Sequence, residues 1–202
     1  MSTRRDLLVA GLGTPLLAAC AVPAAGPAGE LPPIVFVHGN GDSASIWQST
    51  LWRFESNGWP RERLHAIDLP YPLARDDDTR AQPGRTSTAE HMAFLKAEVQ
   101  KVLRATGARQ LVLVGNSRGG YAIRNFIRNG GGEPVVSHAI LGGTPNHGVW
   151  ALRDFAPNSE FNGTGPFLSA LNAPRNGAGD EVDGPVKWMT IRSENNDKFA
   201  QP

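Results

Sequence analysis

The stretch Leu111-Val112-Leu113-Val114-Gly115-Asn116-Ser117-Arg118-Gly119-Gly120 joins a continuous apolar run to the start of a helical pattern. An uninterrupted apolar run of this kind is typical of a parallel strand that is buried on both faces. The pattern G-x-S-x-G follows it, and a serine at such a strand-to-helix turn has its hydroxyl exposed at a helix N-terminus. The sequence therefore predicts a sharp turn that presents Ser117, with Gly115 and Gly119 allowing close backbone packing. The alternative interpretation is an ordinary glycine-rich turn.

Similar apolar runs recur along the chain and alternate with helical patterns. The further runs, which we expect to form strands, are residues 34–37, 64–67, 135–141 and 186–191. The helical patterns are residues 45–57, 88–106 and 119–129, and the second of these ends at Gly107, a typical helix stop. This alternation predicts an α/β fold, in which a mostly parallel sheet is covered by helices on both faces. We expect one domain over residues 34–202.

Composition excludes several classes of function. The 20 basic and 19 acidic residues give a formal net charge of +1, so no basic face for nucleic acid is expected. No apolar run reaches the ~18 residues of a membrane-spanning helix. Cys20 is the only cysteine, which rules out an internal disulfide.

The N-terminal residues differ in kind from the rest of the chain. Arg4-Arg5 precedes a short apolar run, as in a twin-arginine signal, so we expect residues 1–19 to form an export signal. Leu17-Ala18-Ala19-Cys20 resembles a bacterial lipobox, which would make Cys20 a lipid-modified membrane anchor; the alternative is an incidental residue in a plain signal peptide. Residues 20–33, rich in Ala, Pro and Gly, predict a tether. The expected location is the periplasm, the cell envelope or the medium.

A second motif follows the first strand. His38-Gly39-Asn40-Gly41, hereafter the oxyanion loop, lies where backbone N–H groups can stabilise the negative oxygen of a tetrahedral intermediate. In a turn like that at Ser117, one such N–H comes from the residue after the serine, here Arg118. The other is expected from Asn40. His38 is predicted to position this loop; the alternative, a catalytic base, conflicts with the usual chain order of serine, acid and then histidine.

Together these motifs resemble the compact bacterial lipases called lipase class 2, within the α/β-hydrolase superfamily. The resemblance runs from about residue 33 to 148 and resumes near 186, and it includes Leu141-Gly142-Gly143-Thr144-Pro145. It implies a carboxylic-ester hydrolase that acts through an acyl-enzyme on a small-molecule or lipid ester, without metal or organic cofactor. Asn116 and Arg118 depart from the more usual His and Met on either side of the serine.

The resemblance also implies a catalytic acid after the strand at 186–191. It assigns this role to Asp197, with Glu194 and Asp154 as alternatives; a solvated loop acid is the non-catalytic interpretation. No histidine follows Asp197 before Pro202. We therefore expect the histidine, together with a last strand and helix, further along a longer protein.

Two segments interrupt the strand and helix pattern. Residues 72–87, which contain Asp76-Asp77-Asp78, predict a solvated loop, with a cation site as the less favoured alternative. Residues 150–185 are rich in Asn, Gly and Pro but carry several aromatic side chains. Such a long loop is usually functional, and it predicts a lid or an acyl-chain wall, with structural packing as the alternative.

Two other functions remain open at this point. An acyltransferase, amidase or polyester depolymerase could use the same serine turn, because fold and nucleophile do not fix the acceptor. A non-catalytic hydrolase-like envelope lipoprotein is the second alternative.

The lipobox makes a prediction about export. Cys20→Ala should abolish incorporation of labelled fatty acid and release the protein from membranes, because the modified thiol is lost. Membrane fractionation of cells expressing both forms measures this. Unchanged membrane association of Cys20→Ala would contradict the lipoprotein hypothesis.

Overall fold

The structure of the protein, a computed structural model, describes residues 31–152, 156–174 and 184–193. Its strands are β1 Ile34–Val37, β2 Leu64–Ile67, β3 Leu73–Ala74, β4 Arg85–Thr86, β5 Leu111–Asn116, β6 Val136–Gly142 and β7 Lys187–Ile191. Its α-helices are α1 Gln48–Ser56, α2 Thr88–Thr106, α3 Arg118–Asn129 and α4 Pro166–Asn172, and short 3₁₀ turns cover Ala44–Trp47, Arg61–Arg63 and Trp150–Leu152.

The main sheet has five parallel strands in the order β2-β1-β5-β6-β7. In its register Val37 lies beside Gly115, and Asn116 lies beside Gly142. The carboxyl ends of β1, β5 and β6 therefore meet at one edge of the sheet. This confirms the predicted α/β fold with a mostly parallel sheet.

Both faces of this sheet are covered. Successive side chains of a strand point to opposite faces, and in β1 both sets are buried. Val35 packs with residues of α2 and α3, whereas Phe36 packs with Leu51 of α1. Aromatic contacts reinforce the α1 side, where the ring centroids of Phe36 and Trp47 are 5.3 Å apart. Apolar surface removed from water in this way stabilises the folded state by about 25 cal/mol per Å².

The longest helix, α2, begins and ends where the sequence predicts. Its N-cap is Ser87, whose hydroxyl accepts a hydrogen bond from the Glu90 N–H, while the Glu90 carboxylate accepts from the Ser87 N–H in return. Gly107 ends the helix in the left-handed conformation, with φ 67°. Among the described residues, no helix is both long and apolar enough to cross a membrane.

Element boundaries differ slightly from those predicted. The helix expected at 45–57 begins as the 3₁₀ turn at Ala44–Trp47 before α1, and α3 starts at Arg118, directly after the serine. The end of the predicted tether is packed on the domain: the Pro32 and Pro33 carbonyls accept hydrogen bonds from Trp59 Nε1 and the Val112 N–H. The rest of the tether and the export signal lie outside the described residues.

The prediction of a solvated loop at residues 72–87 is wrong in part. The segment contains β3 and β4, and its acidic residues have protein partners. Asp78 accepts hydrogen bonds from the N–H and hydroxyl of Thr88, and its own N–H donates to the Asn158 carbonyl. These bonds cap α2 and tie the loop to residues 156–162. Within the described residues, no group of three or more His, Cys, Asp or Glu could hold a metal ion.

Where the structure describes residues 150–185, their apolar side chains support the alternative of structural packing over a lid or acyl-chain wall. Leu168 and Leu171 of α4 are buried against Tyr121 of α3, and Phe161 and Phe167 pack on the same cluster. The ring centroids of Tyr121 and Phe161 are 5.7 Å apart. These apolar side chains therefore serve structural packing, and Phe155 lies outside the described residues.

Close packing of α3 against β6 makes a testable prediction. A Cβ at Gly120 would overlap Thr144 Oγ1 and lie 2.7 Å from Thr144 Cγ2, whereas at Gly142 the nearest atom would be the Gly115 oxygen at 3.7 Å. Gly120→Ala should lower the free energy of unfolding by about 1–3 kcal/mol. Gly142→Ala, the matched control, should stay within about 0.5 kcal/mol. Denaturant unfolding compares them, and equal losses would contradict this packing.

Candidate active site

The chain order of the strands places a crevice at the middle of the sheet. From β1 the chain first forms β2 on one side and later β5 on the other. In open parallel sheets, ligands bind outside the carboxyl ends of strands at the point where this order reverses. The oxyanion loop follows β1 there, and Ser117 follows β5.

Ser117 occupies the sharp turn that the sequence predicts. Its φ of 49° and ψ of −119° are unusual for a residue with a side chain, and among the described residues it is the one non-glycine with positive φ. Its N–H donates to the Gly142 carbonyl at 2.9 Å, and its carbonyl accepts from the Gly120 N–H at 3.0 Å and from Thr144 Oγ1 at 3.1 Å. Such a conformation costs about 1–3 kcal/mol and persists only when its surroundings fix it.

Glycines bring the oxyanion loop against the serine. A Cβ at Gly119 would overlap the Val37 carbonyl oxygen and lie 2.7 Å from the His38 oxygen, so the first turn of α3 sits directly on the end of β1. An added Cβ at Gly39 would lie 3.2 Å from the Cβ of Ser117. At Gly115 it would lie 2.8 Å from the Gly120 N. Close backbone approach therefore requires glycine at positions 115 and 119, whereas at Gly39 the neighbouring atoms belong to side chains.

The two predicted oxyanion donors directly follow Gly39 and Ser117 in the sequence: they are Asn40 and Arg118. Arg118 is the first residue of α3, so its N–H has no acceptor within the helix. Asn40 lies in the loop beyond Gly39, where its side-chain Oδ1 accepts a hydrogen bond from the Ala74 N–H at 2.7 Å. The Ser117 N–H is already bonded to Gly142, which leaves the Arg118 N–H as the donor nearest the serine in sequence.

His38 holds the oxyanion loop in place. The side chain is 1% exposed, and its Nε2 accepts a hydrogen bond from the Leu69 N–H at 3.1 Å. Its Nδ1 therefore carries the proton and donates to the Gly39 carbonyl at 2.9 Å. Because both ring nitrogens are engaged, the geometry agrees with the positioning role and opposes the alternative of a base.

Comparison with known proteins identifies the family. The family model described as "Alpha/beta hydrolase family" matches residues 34–200. The chain belongs to the alpha/beta hydrolase family. The structure is similar to lipase BlEst2 of Bacillus licheniformis in its propeptide form, with a TM-score of 0.56 and 25% identity over 84% of this chain and 37% of that chain.

Two further solved structures share the fold. The mature form of the Bacillus licheniformis lipase has a TM-score of 0.56 at 23% identity, covering 83% of this chain and 68% of that one. Aspergillus fumigatus lipase B has a TM-score of 0.60 at 18% identity, covering 87% of this chain and 42% of that one. This alpha/beta hydrolase thus spans 37% of the length of the propeptide-form lipase and 68% of the mature form.

The other histidines of this alpha/beta hydrolase lie in different surroundings. His65 is in β2, and His138 is exposed on β6. His91 of α2 is buried, and its Nε2 has no hydrogen-bond partner. Burial lowers the pKa of His91 well below its usual value, and the nearby Arg118 and His38 act in the same direction. His147 is exposed, with its Nδ1 3.3 Å from Asn172 Nδ2.

The candidate acids and the lipidation site are not part of this geometry. Asp197, its alternatives Glu194 and Asp154, and Cys20 all lie outside the described residues. The strand before Asp197 is described: the Ile191 carbonyl at the end of β7 accepts from the Gly143 N–H at 2.9 Å. The chain therefore leaves β7 at the same sheet edge as Ser117.

A buried ion pair next to the serine was not predicted from the sequence. Arg118 is 0% and Glu160 is 1% exposed, and the guanidinium Nε and Nη2 donate to the two carboxylate oxygens. Burial raises the pKa of Glu160, while the hydrogen bonds and charge of Arg118 oppose this rise. The sequence signal for this pair was the arginine at position 118, because a charged side chain buried between a helix and a sheet needs an oppositely charged partner. Nothing in the sequence pointed to Glu160.

Proposed function

We propose that this alpha/beta hydrolase is a serine-dependent carboxylic-ester hydrolase of the lipase or esterase type, acting through an acyl-enzyme. The observation that carries the proposal is the position of Ser117, at positive φ between β5 and α3 with the oxyanion loop against it. A serine in this setting has its hydroxyl at a helix N-terminus, where developing negative charge is favoured. The similarity to lipases agrees with an ester as substrate.

The proposed reaction has two stages. The Ser117 oxygen attacks the carbonyl carbon of the ester, its proton passes to a base, and the carbonyl oxygen takes up the negative charge. The N–H groups of Asn40 and Arg118 stabilise this oxyanion before the alcohol leaves with the proton. Water then attacks the acyl-enzyme in the same way, releasing the acid and restoring the serine.

Asp197 is the proposed acid. It follows β7, whose last carbonyl is bonded to Gly143, one residue beyond the carbonyl that holds the Ser117 N–H. A carboxylate in the segment that follows this end of β7 can orient a histidine and stabilise its cationic form. The base is not assigned to His38, because both of its ring nitrogens are engaged in hydrogen bonds.

The nucleophile is tested with two serine variants of the protein expressed from its full reading frame. Ser117→Ala should remove ester turnover and labelling by a fluorophosphonate probe, because the attacking oxygen is lost. Ser49→Ala, which changes an exposed serine on α1, should retain both. Losing a triad member can leave about 10³–10⁴-fold catalysis over water, so the assay must resolve slow rates. Turnover by Ser117→Ala at the wild-type rate would disprove the proposal.

The acid is tested by comparing two isosteric changes in the same protein. Asp197→Asn should lower kcat by up to about 10⁴-fold, since the histidine loses its orienting partner. Glu194→Gln, the control a few residues earlier, should have a much smaller effect. Steady-state kinetics with one ester measures both. The reverse ranking would move the assignment to Glu194.

A further inference from the structure

The side chain of Arg118, the residue after the proposed nucleophile, is fully buried, and its hydrogen bonds go to Glu160 and to two backbone carbonyls. Beyond its pair with Glu160, Nη1 donates to the Pro72 carbonyl at 3.1 Å and Nη2 to the Thr86 carbonyl at 2.6 Å. These carbonyls lie at the two ends of residues 72–86, the segment from β3 to β4. One guanidinium therefore joins the start of α3 to both ends of that segment.

The same segment holds the oxyanion loop. The Pro72 carbonyl that accepts from Arg118 also accepts from the Gly41 N–H at 3.1 Å. Two residues later, the Ala74 N–H donates to Asn40 Oδ1. The residues proposed to supply the two oxyanion donors, Asn40 and Arg118, are thus connected through Pro72 and Ala74.

Glu160 anchors the arginine from the opposite side. Its carboxylate fixes the plane of the guanidinium with two parallel hydrogen bonds, a geometry that a lysine cannot reproduce. The neighbouring Asn158 bonds back to the segment through its carbonyl to the Asp78 N–H and through Nδ2 to Asp77 at 3.3 Å. Glu160 and residues 72–86 therefore form one connected support.

We propose that the Arg118 side chain is a positioning residue, which fixes the oxyanion loop relative to the Arg118 N–H through the Pro72 carbonyl. The inference rests on the proposed function. An oxyanion hole accelerates a reaction only if its donors are fixed where the charge develops. Asn40 and Gly41 are exposed, so this outer half of the loop has little packing of its own to fix it. The linkage from Arg118 to Pro72 supplies that restraint.

A purely structural role for Arg118 is the competing explanation, and a double variant separates the two. Removing one partner would leave a buried charge uncompensated, whereas replacing both partners with apolar residues of similar volume is often neutral or stabilising. Arg118→Met combined with Glu160→Leu therefore keeps the backbone N–H at position 118 and avoids the buried charge. It removes the bonds to Pro72 and Thr86. Arg124→Met is the matched control: Arg124 is a buried arginine of the same helix, bonded to Asn172 at 2.8 Å.

The experiment measures kcat, KM and inhibition by a boronic acid, which forms a tetrahedral adduct with the serine, in the protein expressed from its full reading frame. The double variant should lose about tenfold to a hundredfold in kcat, less than the ~10²–10³ for deleting an oxyanion donor. Boronic acid affinity should fall in parallel, while KM changes less than about twofold, the pattern of an interaction made only in the transition state. Arg124→Met should leave kcat unchanged. Wild-type kcat and boronic acid affinity in a folded double variant would overturn the proposal.

Amide hydrogen exchange provides a measurement that does not depend on turnover or on the double variant folding. In the wild-type protein, the Gly41 and Ala74 amides should exchange with similar protection, and Glu160→Gln should speed the exchange of both by a similar factor. Fast exchange of Gly41 beside a protected Ala74 would overturn the linkage. If the wild-type protein turned over no ester, the proposed function and the positioning role would fail, and the exchange data would still decide whether the linkage exists.

Discussion

The first turn of α3 lies against the carbonyl oxygens at the end of β1, with no space for a side chain between them. This contact at Gly119 fixes the helix relative to the sheet, and glycine at position 39 leaves room for the Ser117 side chain beside the loop. Ser117 can then occupy its costly conformation, because its N–H and carbonyl are bonded to Gly142, Gly120 and Thr144. The serine and the helix N-terminus are therefore positioned by backbone packing and backbone hydrogen bonds.

The buried ion pair between Arg118 and Glu160 is an uncommon addition to this arrangement. A buried pair is weak evidence of stability, because desolvating the two ions costs about as much as their attraction returns. Breaking it by removing one partner costs about 3–5 kcal/mol, a large part of a domain's ~5–15 kcal/mol net stability. The pair is better explained by the segments that it holds in place. The guanidinium donates to the Glu160 carboxylate and to the carbonyls of Pro72 and Thr86, at the two ends of residues 72–86.

Local patterns predicted much of the fold, because strands buried on both faces and capped helices leave short-range signals. The predictions that held are the runs at 34–37, 64–67 and 111–114, the end of α2 at Gly107 and the turn at Ser117, and all of them depend on neighbouring residues. The errors concern contacts between distant segments. Residues 72–87 were predicted to be solvated because some of their partners, such as Asn158 at 81 positions from Asp77, cannot be inferred from the local composition. The packing of Phe161 and Phe167 on Tyr121 likewise joins segments that are distant in the sequence, so the local pattern did not predict it.

The two halves of the proposed oxyanion hole are held by different means. The backbone of Arg118 begins α3, and the packing of α3 on the sheet fixes the position of its N–H. The oxyanion loop has one buried anchor, His38, and beyond it Asn40 and Gly41 depend on hydrogen bonds to Pro72 and Ala74. The loop is therefore the adjustable half, and its position is decided by residues 72–86 rather than by the core. A buried arginine that reaches this segment from beside the serine couples the adjustable half to the rigid one, which a neutral apolar side chain at position 118 could not do.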